Sequence, residues 1–156
     1  MSNNTPILIF TDGAASGNPG PGGYGIVMRY GTYEKEFSQG FRKTTNNRME
    51  LLAVIVALNK IKNPGHNVLI YTDSKYVVDS VEKKWLDGWV KKGFKGKKNP
   101  DLWREYLKVA PKHNVKFKWI KGHAGHPENE RCDALAVEGS QNPTNVDVNY
   151  EKENIG

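Results

Sequence analysis

The 156-residue chain holds one cysteine, Cys132, so no internal disulfide can form and no thiolate cluster is present to bind structural zinc. No apolar run reaches the roughly 20 residues that cross a bilayer. The start, Met1-Ser2-Asn3-Asn4-Thr5, lacks the charged and apolar regions of a secretion signal. These absences exclude a disulfide scaffold and a membrane partner, and a reducing, cytoplasmic setting is expected. The glycine-rich stretch from Gly17 to Gly25 is not read as a nucleotide fingerprint, because no Gly-Lys-Ser/Thr phosphate loop follows and two prolines stiffen it. Its backbone could instead lie close to a sugar-phosphate chain, or simply turn. A chain of this length buries roughly two thirds of its unfolded surface without staples, and residues 1–156 read as one domain.

What the chain has in excess is positive charge, and that charge is local. The net charge is +6. Between Lys83 and Lys98 lie Lys83, Lys84, Lys91, Lys92, Lys95, Lys97 and Lys98 against the single acid Asp87, while the remainder is balanced. A neutral body with one basic segment points to contact with a polyanion. Trp85, Trp89 and Phe94 interleave with these lysines and are expected to pack against sugars or bases while the ammonium groups meet phosphates. A solvated lysine face is the plainer alternative.

The apolar pattern predicts strands at about 6–12, 24–30 and 33–41, with the glycine-rich stretch at 17–23 as loop. A nearly all-apolar helix runs from Asn46 or Asn47 to about Lys62, and a fourth strand spans 67–72. Helices follow from about Ser74, over 82–90 and from Pro100 or Asp101. A last strand covers 115–120 and a last helix starts at Pro127. The polar stretch 141–156 reads as a weakly ordered tail. Short connections make the first three strands antiparallel, and helical crossovers make the last two parallel. The expected fold class is α/β: a mixed five-stranded sheet flanked by helices.

Two strands run straight into an acid, Ile9-Phe10-Thr11-Asp12-Gly13 and Ile70-Tyr71-Thr72-Asp73-Ser74. Glu50 stands early in the apolar helix, and Asp133 lies among the small residues Cys132, Ala134 and Ala136. Each has an ordinary reading: Asn47 and Glu50 have capping-box spacing, Asp73 could cap a helix, Asp12-Gly13 could turn, and Asp133 could face solvent. Together they would be neighbours, and two carboxylates about 4 Å apart repel by roughly 4 kcal/mol at an effective dielectric of about 20. Divalent cations relieve that repulsion, and an all-oxygen donor set suits Mg²⁺ or Mn²⁺. Two such ions would stabilise both oxygens of a phosphoryl displacement. His123, in Lys121-Gly122-His123-Ala124-Gly125-His126, is the proton-transfer candidate; a zinc pair with His126 is the weaker alternative. Asn side chains in Thr44-Thr45-Asn46-Asn47 could cap the helix and also reach base edges or a 2′-hydroxyl. Cys132 reads as a small packing residue.

These blocks closely resemble the bacterial-type ribonuclease H family (ribonuclease HI), from Ile7 to about Pro143. They are Thr11-Asp12-Gly13, Gly17 to Gly25, Thr44 to Glu50, Thr72-Asp73-Ser74 and Lys121 to Asp133. The resemblance implies a ribonuclease H fold and Mg²⁺-dependent hydrolysis, with Mn²⁺ as substitute, of the RNA strand of RNA/DNA hybrids. The family's metal-binding acids fall on Asp12, Glu50, Asp73 and Asp133, and its flexible catalytic histidine on His123. Its hybrid-contacting positions fall on Asn18, Thr45, Asn46, Asn47, Trp85 and Trp103, and the lysine-rich segment, including Lys91, Lys92, Lys95, Lys97 and Lys98, matches its basic protrusion. Lys75 stands where the family often has glutamine and is a further candidate phosphate contact; the basic loop is a few residues short. A monomeric endonuclease leaving 5′-phosphate and 3′-hydroxyl ends is expected. The rivals are a non-catalytic module binding hybrid or double-stranded RNA on the same sheet, and an integrase- or resolvase-like enzyme with another substrate.

Overall fold

The computed structural model describes residues 5–122 and 125–153. Strands β1 (Ile7–Ala15), β2 (Gly20–Tyr30) and β3 (Tyr33–Thr44) form a meander, followed by helix α1 (Asn46–Asn59) and β4 (Asn67–Thr72). Then come α2 (Lys75–Glu82), α3 (Trp85–Lys91), α4 (Pro100–Val109), β5 (Asn114–Trp119), α5 (Pro127–Gln141) and α6 (Val148–Glu153). The sheet order is β3-β2-β1-β4-β5. The β1–β2 and β2–β3 pairs are antiparallel and the β1–β4 and β4–β5 pairs parallel, the mixed topology expected from connection lengths.

Strand β1 is central because both of its faces are covered. Ile7 and Ile9 join the main core beneath α1 and α4, while Phe10 joins Val27, Cys132 and Leu135 on the α5 side. A strand buried on both faces reads as a continuous apolar run, which Ile7-Leu8-Ile9-Phe10 is. Helix α1 is apolar almost all round because it lies between the sheet and α4. On the opposite face α5 crosses so close to β2 that a Cβ at Gly25 would collide with the Cys132 carbonyl oxygen and the Leu135 side chain.

Three expectations change. Gly20 to Gly23 belong to β2 rather than to a loop, since pairing of Gly22 and Gly23 with β1 and of Gly20 with Thr44 on β3 outweighs the weak strand propensity of glycine. Phe94 is buried in the main core, with the Arg104 guanidinium 5.0 Å from its ring centre, so it anchors the basic loop rather than facing a ligand. Residues 142–153 are not a loose tail. Asn145 bridges to Phe41 on β3, and Asp147 is buried against Arg48. A polar segment can dock when its partner is a buried cation rather than an apolar surface.

Candidate active site

The register of the parallel β1–β4 pair, with Phe10 beside Tyr71, carries Asp12 and Asp73 to the same end of the sheet. That is the end at which open α/β sheets bind ligands. Asp12 lies within β1; Asp73 follows the last residue of β4. Ser74, not Asp73, caps α2, its Oγ accepting from the Val77 N–H at 3.2 Å.

Glu50 joins them through a close approach of backbone to backbone. A Cβ on Gly13 would lie 2.5 Å from the Glu50 nitrogen and 2.6 Å from the Met49 carbonyl carbon, so only glycine lets α1 rest on β1 here. The Gly13 N–H donates to Glu50 Oε1 at 3.1 Å and to Asp12 Oδ1 at 2.9 Å. No Asn47–Glu50 capping box forms: Thr45 caps α1, accepting from the Arg48 N–H at 3.2 Å. Gly13→Ala is expected to push α1 away, costing about 1–3 kcal/mol, and to weaken any stabilisation by a divalent cation. Thermal melts in EDTA and in Mg²⁺ check both effects.

Oxygen atoms of Asp12, Glu50 and Asp73 lie within 4.8 Å of one another. Burial first, and then the Asp73 charge, raises the Asp12 carboxyl to about 7; a hydrogen bond with Glu50 pulls the other way and Asp133 adds to the rise. Burial, with Asp12 and Asp73 behind it, pushes Glu50 well above its ordinary range. Glu50 Oε2 is buried without a hydrogen-bond partner. A buried acceptor with no donor, beside two further carboxylates, is a poor way to stabilise a fold and a good way to receive a hard cation. Asp133, half-buried on α5, stands close enough to act on Asp12 but outside the three-acid cluster. Cys132 fixes that helix, its Sγ donating to the Phe10 carbonyl at 3.1 Å, and burial pushes its thiol up to about 12, which makes it an inert packing group.

His123 lies outside the described residues. Gly122 beside it packs against the cluster, where a Cβ would come 2.8 Å from Asp73 Oδ2. Trp119 Nε1 donates to the Asp73 carbonyl at 3.1 Å, and Lys75 Nζ sits 4.8 Å from the Trp119 ring centre, at the edge of the acids.

The candidate binding residues divide. Asn18, Thr45 and Asn47 line a groove of about 480 Å³ together with Lys97 and Lys98. Asn18 Oδ1 accepts from the Asn46 N–H at 3.1 Å and Asn46 Oδ1 from the Ala15 N–H at 2.5 Å, so these two side chains also tie the loops together. Trp85 is 47% exposed beside Lys83, and Lys91, Lys92, Lys95, Lys97 and Lys98 are all exposed. Trp103 is 0% exposed, its Nε1 donating to the Tyr76 hydroxyl at 2.8 Å. It offers no surface to a ligand, and its place on the apolar stripe of α4 explains why. Arg48, Tyr150 and Glu153 also line the groove; Arg48 stands in the Thr44 to Glu50 block without having been singled out, and Tyr150 and Glu153 carried no motif that marked them.

A family model, RNase H, matches residues 4–141. Ribonuclease H of Desulforamulus reducens is 57% identical over 147 residues, covering 91% of this chain and 92% of that protein. Among solved structures, LC9-RNase H1, described as a type 1 RNase H with the type 2 active-site motif, superposes with a TM-score of 0.80 at 31% identity. The alignment covers 90% of this chain and 74% of that one. LC11-RNase H1, solved in complex with RNA/DNA hybrid, gives a TM-score of 0.60 at 26% identity over 87% and 97% of the two chains. A clustered set of acids at the ends of paired strands, on a sheet of this order and with this sequence match, makes the chain a member of the RNase H family.

Proposed function

We propose that the chain is a monomeric endoribonuclease that hydrolyses the RNA strand of RNA/DNA hybrids, leaving 5′-phosphate and 3′-hydroxyl ends. The observation that carries this reading is the cluster of buried Asp12 and Glu50 with half-buried Asp73, in which Glu50 Oε2 is left unpartnered; a groove lined by Asn18, Thr45, Asn47, Lys97 and Lys98 supports it. Asp12, Glu50, Asp73 and Asp133 would hold two Mg²⁺ ions, with Mn²⁺ able to replace them. When bound, such ions supply Lewis-acid stabilisation of the phosphoryl oxygens. Asp12 and Glu50, whose burial raises both carboxyls, would have to be ionised to hold such ions, so cation binding would be coupled to proton release. His123 would take up or return a proton in the reaction. Asn18, Thr45, Asn46 and Asn47 hold the hybrid in register, and contacts to the 2′-hydroxyl restrict cleavage to RNA.

None of the described helices is long and apolar enough to cross a membrane; the place of work proposed for the chain is the cytoplasm, with a nucleic-acid partner. Offering one sequence as hybrid, duplex DNA and duplex RNA with millimolar Mg²⁺ tests the assignment. Cleavage of the RNA in the hybrid alone is expected; binding without cleavage would reduce the chain to a hybrid-binding module, and DNA cleavage would move it to the integrase-like enzymes.

The lysine segment gives a separate expectation. Each phosphate contact contributes about 0.9 to the slope of log affinity against log salt. Neutralising Lys91, Lys92, Lys95, Lys97 and Lys98 should therefore raise KM and flatten its salt dependence while kcat stays nearly constant. A salt series on the variant measures this, and an unchanged slope would remove those lysines from the interface.

A further inference from the structure

We propose that the C-terminal segment 142–153 is a wall of the hybrid-binding groove, and that Asp147 is a positioning residue for hybrid binding. This deepens the nuclease reading and rests on it. The segment lies beyond the residues matched by the family model, yet it is built into the fold. The Asn145 N–H donates to the Gly40 carbonyl at 3.0 Å, and the Asn145 carbonyl accepts from the Arg42 N–H at 3.0 Å. Asp147, 8% exposed, accepts from Thr44 Oγ1 at 2.7 Å and from Arg48 Nε and Nη2 at 2.7 and 2.9 Å. The Tyr150 ring centre lies 5.6 Å from the Arg48 guanidinium.

Arg48 is where these contacts meet the groove. It stands in the first turn of α1, three residues after Thr45, and its own N–H is the group that Thr45 caps. Its other guanidinium edge donates to Asp101 at 3.0 and 2.7 Å in the first turn of α4. A single side chain thus ties the start of α1, with Thr45 and Asn47, to the helix that follows Lys97 and Lys98, and Asp147 completes its shell. An ion pair this deeply buried gains little net stability, because desolvation offsets the attraction. What it provides is geometry: the relative position of the groove's two sides.

The segment also faces the groove. Tyr150 and Glu153 line it together with Asn18 and Lys98. Tyr150 offers a rigid aromatic surface to a sugar-phosphate backbone. Glu153 places a negative charge on the same wall, which opposes phosphate and limits how closely the backbone approaches.

The test is steady-state cleavage of an RNA/DNA hybrid in Mg²⁺, with hybrid affinity measured separately in Ca²⁺ by fluorescence anisotropy, for wild type, Asp147→Asn, Tyr150→Ala and Glu153→Gln. Melting curves set a working temperature at which all four are folded. Asp147→Asn is expected to raise KM and Kd about tenfold with kcat within about twofold, Tyr150→Ala to raise them several-fold, and Glu153→Gln to lower them. A lower Tm for Asp147→Asn with KM and Kd unchanged would mean a purely structural latch, and wild-type affinity in Tyr150→Ala would remove the wall; either result overturns the proposal. Wild-type binding without cleavage, still weakened by Asp147→Asn, would defeat the nuclease reading and leave the wall standing. Failure of the wild type to bind hybrid would defeat both.

Discussion

Asp12→Asn is expected to reduce hybrid cleavage at least about a thousandfold while raising the Tm of the metal-free protein at pH 7. The two effects have one cause. A neutral amide is a weaker ligand for a hard cation than a carboxylate. The same substitution relieves the crowding that lifts Asp12 to about 7. Because the folded carboxyl is raised above its unfolded value near 3.8, the folded state holds a proton that the unfolded chain releases between those two values. The contribution of this group to stability is therefore greatest at low pH and is lost as pH rises toward 7. The rise corresponds to a free-energy difference on the order of 4 kcal/mol. Melts of wild type and Asp12→Asn in EDTA, from pH 4 to 8, should run together at the acid end and diverge toward neutrality, with the variant higher. Parallel curves would mean that Asp12 is not crowded. Full activity in the variant would end the nuclease assignment.

Arg48→Ala is expected to be the most destabilising of the single substitutions considered, by about 3–5 kcal/mol, or roughly 10 °C in Tm for a chain of this size. Arg48 is 2% exposed and paired with both Asp101 and Asp147. Removing it leaves the Asp101 and Asp147 carboxylates, 18% and 9% exposed, without the cation both are paired with. The arginine pulls Asp101 below its ordinary range, although burial opposes it. That depressed group contributes stability above its unfolded pKa that is lost as pH falls through the folded one, so the penalty of Arg48→Ala should shrink in acid. Denaturant unfolding at neutral and acid pH measures this. Asp147→Asn, which keeps Asp101 as partner and a hydrogen-bonding group in place, should cost much less. Equal losses in the two variants would show that the tail, and not the buried cation, holds this corner together.

The elements and their order were legible because each obeys a short-range rule. Central β1 reads as an unbroken apolar run, α1 as an apolar helix stopped by Asn63-Pro64-Gly65, and α4 as a proline start followed by an apolar stripe. The acids were legible as strand-end and early-helix residues in long motif blocks. What local pattern could not supply was the use to which a side chain is put. Phe94 looks like a ligand-facing aromatic among lysines and is a core residue, while Trp103, a hybrid contact only by the family resemblance, is buried as its place on the apolar stripe of α4 predicts. Asp147 looks like one more acid in a polar tail, and it is 99 positions from the arginine it holds.

From the order of its residues alone, the chain determined a mixed α/β sheet, a local excess of positive charge and a set of acids destined for one end of that sheet, since strand periodicity and connection length are properties of neighbouring residues. The tertiary structure alone decided that Asp12, Glu50 and Asp73 crowd within reach of one another with Asp133 at their edge. It also decided that Gly13 must lack a side chain for this to happen, and that the C-terminal segment closes onto Arg48. Those outcomes depend on distances between residues far apart in the chain, and burial and Coulomb energy are set by such distances.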